Sequence, residues 1–285
     1  MDLLLLGPKP SVLPMNYTPS VYFTFQFVYN QPMSTLGYIL LFTFMGSIGA
    51  LVGGFVLLSQ EKFAIKISHF LASFAAGVLL GTAFFDLLPE ALHAGEEQGI
   101  DVFFWTLVGI VIFFLTERSI HWFHHHEEYH DEKDTKSTLS LIIFGDTMHN
   151  FLDGIVIAAT FMVSVPLGIT TAIAVFAHEI PQEIGDFGLM IHKGLKKGRI
   201  ILVNIASAAA AILGALLTYM LGESIEKQIP ILVALTAGFF IYIAASDLIP
   251  EIHHEKRKNY VIYETLLLLF GVLLIWLVTS SLPEL

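Results

Sequence analysis

The sequence contains no cysteine, which excludes disulfides, thiolate metal ligands and cysteine nucleophiles. That absence does not identify a compartment. Charge is scarce too. Asp, Glu, Lys and Arg make up 14% of the 285 residues, against about 25% in a soluble domain. The formal net charge of −11 argues against a nucleic-acid partner, whose phosphate backbone calls for a basic surface. No phosphate-cradling glycine motif is present, so direct ATP coupling is not expected. Features of a cleaved leader are also missing. Leu3 to Leu6 is too short for its apolar region, Asp2 stands where basic residues are expected, and Pro8 and Pro10 follow. Residues 1–35 are expected to form an extracytoplasmic tail, with Tyr22 to Tyr29 a candidate interfacial stretch.

What is abundant is apolar sequence, 55% of residues with a mean hydropathy of +0.73. It comes in runs long enough for helices of about 20 residues, the length that crosses a hydrocarbon core. The runs are too long for barrel strands, and lipid leaves the backbone no third choice. The predicted spans are 36–59, 69–92, 102–122, 138–163, 166–191, 199–221, 230–251 and 260–280. The fold class expected is therefore an all-α integral membrane protein with eight transmembrane helices over 36–280, embedded in a lipid bilayer. Gly46, Gly49, Gly53 and Gly54 in the first span, and Ala206 to Ala211 with Gly214 in the sixth, allow close helix contacts. The same small faces would permit a homodimer.

Basic residues set the orientation. With the N-terminus outside, every Lys and Arg except Lys9 and Lys227 falls in an inside loop. The positive-inside rule then places both termini outside the cytoplasm, in a multi-pass protein of the cell membrane. A weak repeat accompanies this topology. Asp86-Leu-Leu-Pro89-Glu90 closes the second span at the outer face, and Asp247-Leu-Ile-Pro250-Glu251 closes the seventh at the inner face. Matching motifs at opposite faces point to a 3+2+3 arrangement, with helices 1–3 and 6–8 an inverted repeat around helices 4 and 5. Two unrelated helix ends broken by proline are the alternative.

Ionisable groups in mid-membrane are costly and mark function. Span four reads Asp146-Thr-Met-His149-Asn150-Phe-Leu-Asp153-Gly154, and span five His178-Glu179-Ile-Pro181-Gln182-Glu183-Ile-Gly185-Asp186. Helical spacing puts Asp146, His149, Asn150 and Asp153 on one face of span four. On span five His178 pairs with Gln182, and Glu179 with Glu183 and Asp186. A short turn at Pro166 makes the two spans antiparallel neighbours, so the stripes can face each other. Imidazole and carboxylate are good ligands for zinc, and mixed N and O sites also take iron, manganese or cadmium. His149, Asp153, His178 and Glu179 lead the candidate ligands, followed by Glu183. Asn150 and Gln182 are weaker donors that could instead hold the ligands in place. A hydrogen-bonded structural network is the alternative for the whole cluster. Pro181 is expected to kink span five beside His178, and Gly154 and Gly185 to admit neighbouring helices closely.

Around this centre, Asp146 and Asp186 are candidate pathway ends. Asn204 and Ser207 are candidate lining groups on span six, with simple packing the alternative. Asp86 and Glu90 stand at the outer mouth, and Asp247, Glu251, His253 and His254 at the inner one, where acidic groups concentrate cations. Solvated helix ends are the bland reading. The inside loop 123–137 carries His124, His125, His126 and His130 among acidic residues, a composition that binds metal or is merely solvated.

The motifs Asp146-x-x-His149-Asn150-x-x-Asp153-Gly154 and His178-Glu179-x-Pro181-x-Glu183-x-Gly185-Asp186 resemble those of the ZIP family of zinc- and iron-regulated transporters, in a bacterial-type member. The resemblance covers residues 36–280. It implies movement of Zn²⁺, and in some members Fe²⁺, Mn²⁺ or Cd²⁺, toward the cytoplasm, with no resident cofactor and no enzymatic activity. It also implies that His149, Asn150, Asp153, His178, Glu179 and Gln182 hold or approach metal. Some members bridge two metals through a carboxylate at the position of Gln182, and others have His there. A neutral amide bridges cations poorly, and span six offers Asn204 and Ser207 but no carboxylate. One principal site is therefore expected. The second helix often carries His where Asp86 stands, so entry ligands differ as well. Readings from other classes are a membrane-embedded zinc metalloenzyme and a metal-sensing membrane protein. The first is weakened by Gln182, which interrupts the His-Glu-x-x-His pattern.

Overall fold

The computed structural model describes residues 33–96, 98–125, 133–253 and 258–281. Most of the tail 1–35, together with His126, His130 and His254, lies outside the described residues, as do the side chains of His124, His125 and Glu251. Among the described residues the chain forms eight long helices and no strand. They are α1 (Thr35–Ser59), α2 (Glu61–Glu96), α3 (Val102–His125), α4 (Lys133–Val163), α5 (Val165–His192), α6 (Lys197–Ile225), α7 (229–253) and α8 (Lys258–Ser281). Five of these, α1, α2, α6, α7 and α8, are long and apolar enough to cross a membrane on length and composition alone. In α4 and α5 the buried carboxylates interrupt an otherwise apolar run. Large apolar side chains such as Phe103, Leu107, Leu202, Leu213, Leu266 and Phe270 face outward. Water would penalise so much exposed apolar surface, and lipid covers it.

Several helices outrun the spans read from hydropathy. α2 begins at Glu61, where the apolar run begins near 69, and α4 begins at Lys133 rather than near 138. Polar turns keep their hydrogen-bond ladder beyond the hydrocarbon core, and a hydropathy window registers only the apolar middle.

Local signals fix the ends. Ser34 accepts from the Gly37 amide and starts α1, with donor and acceptor 3.2 Å apart. Asp101 accepts from the Phe104 amide before α3 at 3.0 Å. Between α4 and α5 the chain reverses at Ser164, whose Oγ accepts from the Leu167 amide at 3.3 Å, with Pro166 in the first turn. The cap satisfies one of the first-turn amides that a helix leaves open, and proline has no amide to leave open. Ser164→Ala is expected to lower stability by about 1 kcal/mol, read as a lower unfolding midpoint in detergent.

The two proline motifs have a shared local structure. Before Pro89 the backbone widens into a π-helical turn, Ala83–Leu87, closed by a Leu88 amide bond to the Ala83 carbonyl. Before Pro250 the same happens over Ile243–Leu248, closed by an Ile249 bond to Ala244. A proline ring lacks an amide and crowds the carbonyl four residues back, so the helix accommodates it by an i to i−5 step. Each π turn carries the motif's aspartate, Asp86 in one and Asp247 in the other. Pro181 behaves differently, and α5 continues through it as helix from Val165 to His192.

The helices pack as two groups of four. One group is α1, α4, α5 and α6, and the other is α2, α3, α7 and α8, with α2 lying against α5 between them. The inverted repeat is visible in the partners. α1 packs on α5 as α6 packs on α4, and α2 packs on α8 as α7 packs on α3. One separation, 161 residues, relates Asp86 to Asp247, Gly77 to Gly238 and Gly53 to Gly214. Gly77 meets the Leu268 backbone of α8, and Gly238 meets the Thr106 backbone of α3. At both crossings a Cβ would strike a carbonyl oxygen, so only glycine allows the approach.

Candidate metal centre

His149 and Asp153 are one helical turn apart on α4, and His178 and Glu179 are consecutive on α5. The antiparallel crossing of these helices brings one ligand atom from each of the four within 4.8 Å of the others. The two imidazole Nε2 atoms are 3.1 Å apart. Asp153 Oδ2 lies 3.7 Å from His149 Nε2 and 3.6 Å from His178 Nε2. Glu179 Oε1 lies 3.4 Å from His149 Nε2 and 3.9 Å from His178 Nε2. His178 and Glu179 are each 1% exposed, and His149 is the member of the donor set that reaches toward open space.

Two details fit a cation site better than a satisfied hydrogen-bond network. Neither Glu179 oxygen has a hydrogen-bond donor, nor does Asp153 Oδ2, although all are buried. Carboxylates stripped of water and donors call for a cation or a proton. In addition, His178 Nδ1 lies 3.0 Å from the Ala174 carbonyl oxygen. A carbonyl can only accept, so Nδ1 carries the proton and Nε2 presents its lone pair to the cluster. That arrangement is usual for a metal-binding histidine.

The other residues predicted from the sequence fall elsewhere. Asn150 is buried, but its amide turns along α4 and donates to Asp146, at 2.9 Å to Oδ1 and 3.2 Å to the backbone carbonyl. Glu183 is buried, neither of its carboxylate oxygens has a hydrogen-bond partner, and it stands outside the four-residue group. Gln182 lines a cavity beside the centre. Asn204 is fully buried on α6, donating to the Ile200 carbonyl at 2.8 Å and to Met190 sulfur at 3.7 Å. Asp86 accepts from the Thr170 hydroxyl of α5, which ties the two helix groups together beside Glu90. Gly185 does not serve as a close helix contact. A Cβ there meets nothing within 4 Å, because α5 turns that position to open space, whereas Gly154 is pressed against the Ala211 backbone of α6.

The cavity, about 890 Å³, runs from His149 and His178 past Asp146, Gln182 and Asp186 to Glu61 and His192. These last two stand at the start of α2 and the end of α5. Asp247 and Glu117 line its α7 and α3 side, where the Tyr242 hydroxyl donates to Glu117. At the opposite end of the bundle Tyr38, Phe42 and Phe161 stack, with Tyr38 and Phe161 centroids 6.0 Å apart. The centre thus communicates with one face through a wide cavity of mixed lining, while aromatic packing and the Asp86–Thr170 contact occupy the other.

The sequence profile of the family described as ZIP Zinc transporter matches residues 33–140 and 127–279, which takes in all eight helices. This chain belongs to the ZIP family. Human "Zinc transporter ZIP6" is 35% identical over 142 residues, 48% of this chain and 19% of that protein. Human "Zinc transporter ZIP4" is 41% identical over 110 residues, 39% of this chain and 17% of that protein. "Zinc transporter ZIP13" of Pongo abelii is 29% identical over 215 residues, 71% of this chain and 64% of that protein. The chain therefore spans less than a fifth of the length of ZIP6 and ZIP4, and about two thirds of ZIP13.

Sequence reasoning missed several residues of this ZIP chain's cavity. His69, Glu61 and His192 line it, yet Glu61 and His192 stand at helix ends and none of the three has ligand spacing around it. Phe113 also lines it and sits in an unbroken apolar run of α3, where no pattern distinguishes it from lipid-facing neighbours.

Proposed function

We propose that this chain carries divalent metal ions, zinc foremost, across the cell membrane toward the cytoplasm, with His149, Asp153, His178 and Glu179 as the principal transport site. The observation that carries the reading is the convergence of two imidazole nitrogens and two carboxylate oxygens within 4.8 Å, between two helices of an apolar bundle. The donor set matches zinc's preference for about four N and O ligands, and Fe²⁺, Mn²⁺ and Cd²⁺ can use it too. Mixed ligands with free access to a cavity suit an ion that must leave again. The metal is cargo, so no resident cofactor is needed.

Direction rests on family membership and on charge. The cavity opens at the end that bears Lys62, Lys66, Lys193, Lys196, Lys197 and Arg199, which the positive-inside rule assigns to the cytoplasm. Both termini are then extracytoplasmic. Asp146, Glu183 and Asp186 serve as the next stage of the path, and Asp247 and Glu117 line the exit. Asn150 holds Asp146 through Nδ2 and keeps its buried, unpartnered Oδ1 for the ion, and neutral Gln182 keeps the centre to one principal ion. Asp86 and Glu90 stand at the outer entrance. Glu251 and the loop histidines His124, His125, His126 and His130 would meet the ion on the inside. The small-residue faces leave room for a homodimer in the bilayer, and nothing in the charge balance favours nucleic acid.

Flux of Zn²⁺, Fe²⁺, Mn²⁺ and Cd²⁺ into sealed proteoliposomes tests the proposal. Saturable zinc flux, with proton release as zinc binds, is the expected result, since ligating imidazoles and carboxylates must be deprotonated. Tight zinc binding without flux would replace transport by sensing. Peptide cleavage by the purified protein would point to a metalloenzyme.

A further inference from the structure

The two imidazoles of the centre are held by different means. His178 is anchored within its own helix, by the Nδ1 contact to Ala174, and the Phe240 ring of α7 stands near it with centroids 6.3 Å apart. His149 meets an aromatic ring from the other helix group. Phe113 of α3 packs against it at 5.7 Å, with the two planes at 87°. Phe113 is itself wedged by α7, 5.6 Å from Phe239 and 5.4 Å from Tyr242. Tyr242 is tied back to α3 through its hydrogen bond to Glu117. α3 and α7 approach each other through Gly109 and Gly238, whose missing Cβ atoms bring the backbones into contact. The bracket around Phe113 is therefore stiff.

We infer that Phe113 is a positioning residue for zinc, holding the His149 ring in the orientation that aims Nε2 at Asp153, His178 and Glu179, with Tyr242 and Glu117 fixing Phe113 in turn. The physical reason is the geometry of imidazole ligation. The donor lone pair lies in the ring plane, so rotation about the ring's bond to Cβ swings Nε2 off the metal without moving the backbone. An aromatic neighbour packed at a right angle to the ring favours one ring orientation. Phe113 carries no donor or acceptor, so it acts on the ring by packing alone. The inference rests on the transport reading only for the site of action; its first readout is binding.

The test compares wild type, Phe113→Leu, Phe113→Tyr and Tyr242→Phe by equilibrium titration of the purified protein with Zn²⁺ and Mn²⁺, and by proteoliposome flux. Phe113→Leu is expected to raise the zinc dissociation constant and KM about two- to tenfold, the range of one lost aromatic pair, with maximal flux per folded molecule nearly unchanged. Mn²⁺, which leans on carboxylates more than imidazole, should weaken less. Phe113→Tyr should restore wild-type zinc binding, and Tyr242→Phe should weaken it in the same direction by less. If Phe113→Leu does not fold, the Tyr242→Phe titration decides. Unchanged zinc affinity, equal weakening of both metals, or loss of maximal flux alone would overturn the proposal. Wild type that binds zinc but does not transport it would refute the transport reading and leave the binding comparison intact.

Discussion

Replacing His178 with alanine is expected to remove saturable zinc flux from protein that still folds. Its Nε2 is within 3.9 Å of all three other donors, and its ring is oriented from behind by the Ala174 carbonyl. Outer contacts that merely orient a ligand are worth about 10- to 100-fold in metal affinity, so loss of the ligand itself should reach at least about 100-fold. The alanine leaves Asp153 and Glu179 buried without a shared cation partner on that side, which further weakens the site. Folding should survive, because the vacated volume adjoins the cavity and water can enter. Asp153→Ala should behave alike, since Oδ2 serves both imidazoles. Gln182→Ala is the control, with a change below about tenfold expected for a cavity-lining amide outside the ligand group. Flux per folded molecule, normalised by size-exclusion recovery, is the measurement. Full zinc flux in both His178→Ala and Asp153→Ala would place the pathway elsewhere.

The second large effect concerns two glycines that look alike in sequence, one in each motif. At Gly154 a Cβ would overlap the Ala211 carbonyl of α6, while Gly214 of α6 meets the Phe151 carbonyl of α4 in return. Gly154→Val should push these helices apart and lower stability by about 3 kcal/mol or more, at the upper end for overpacked contacts, since backbone rather than a flexible side chain must move. Because α4 carries His149 and Asp153, the displacement should also disable the site. Gly185→Ala meets nothing within 4 Å and gains helix propensity, so its stability should be unchanged or rise by up to about 1 kcal/mol. Unfolding midpoints in detergent would measure both. Equal tolerance at the two positions would contradict the α4–α6 crossing described above.

The pair also shows where pattern reading stops. Both glycines lie on apolar helices beside polar motifs, so composition assigns them the same role. Which face of α5 meets a neighbour is a matter of packing, and Gly185 falls on the open side. Asn150 is a comparable case. Spacing puts it on the stripe with His149 and Asp153, and packing splits its amide, with Nδ2 donating one turn back to Asp146 while Oδ1 stays buried without a hydrogen-bond partner. Glu183 shares a helical face with Glu179 and still stands outside the group of four whose ligand atoms converge.

By itself the sequence determined what depends on distances along one helix or on the thickness of a bilayer. The length of the apolar runs dictated helices, and the Asp-x-x-Pro-Glu motifs an inverted repeat. One-turn spacing placed His149 beside Asp153, and adjacency placed Glu179 beside His178. Only the tertiary structure decided what depends on contacts between helices far apart in the chain. It sorted the helices into two groups through glycine crossings, brought four candidate ligands together out of the longer polar stripes, and opened the cavity to one face. It also brought Phe113 from α3 against His149 of α4. Those choices follow from shape complementarity between whole helix surfaces, and no local period in the sequence encodes them.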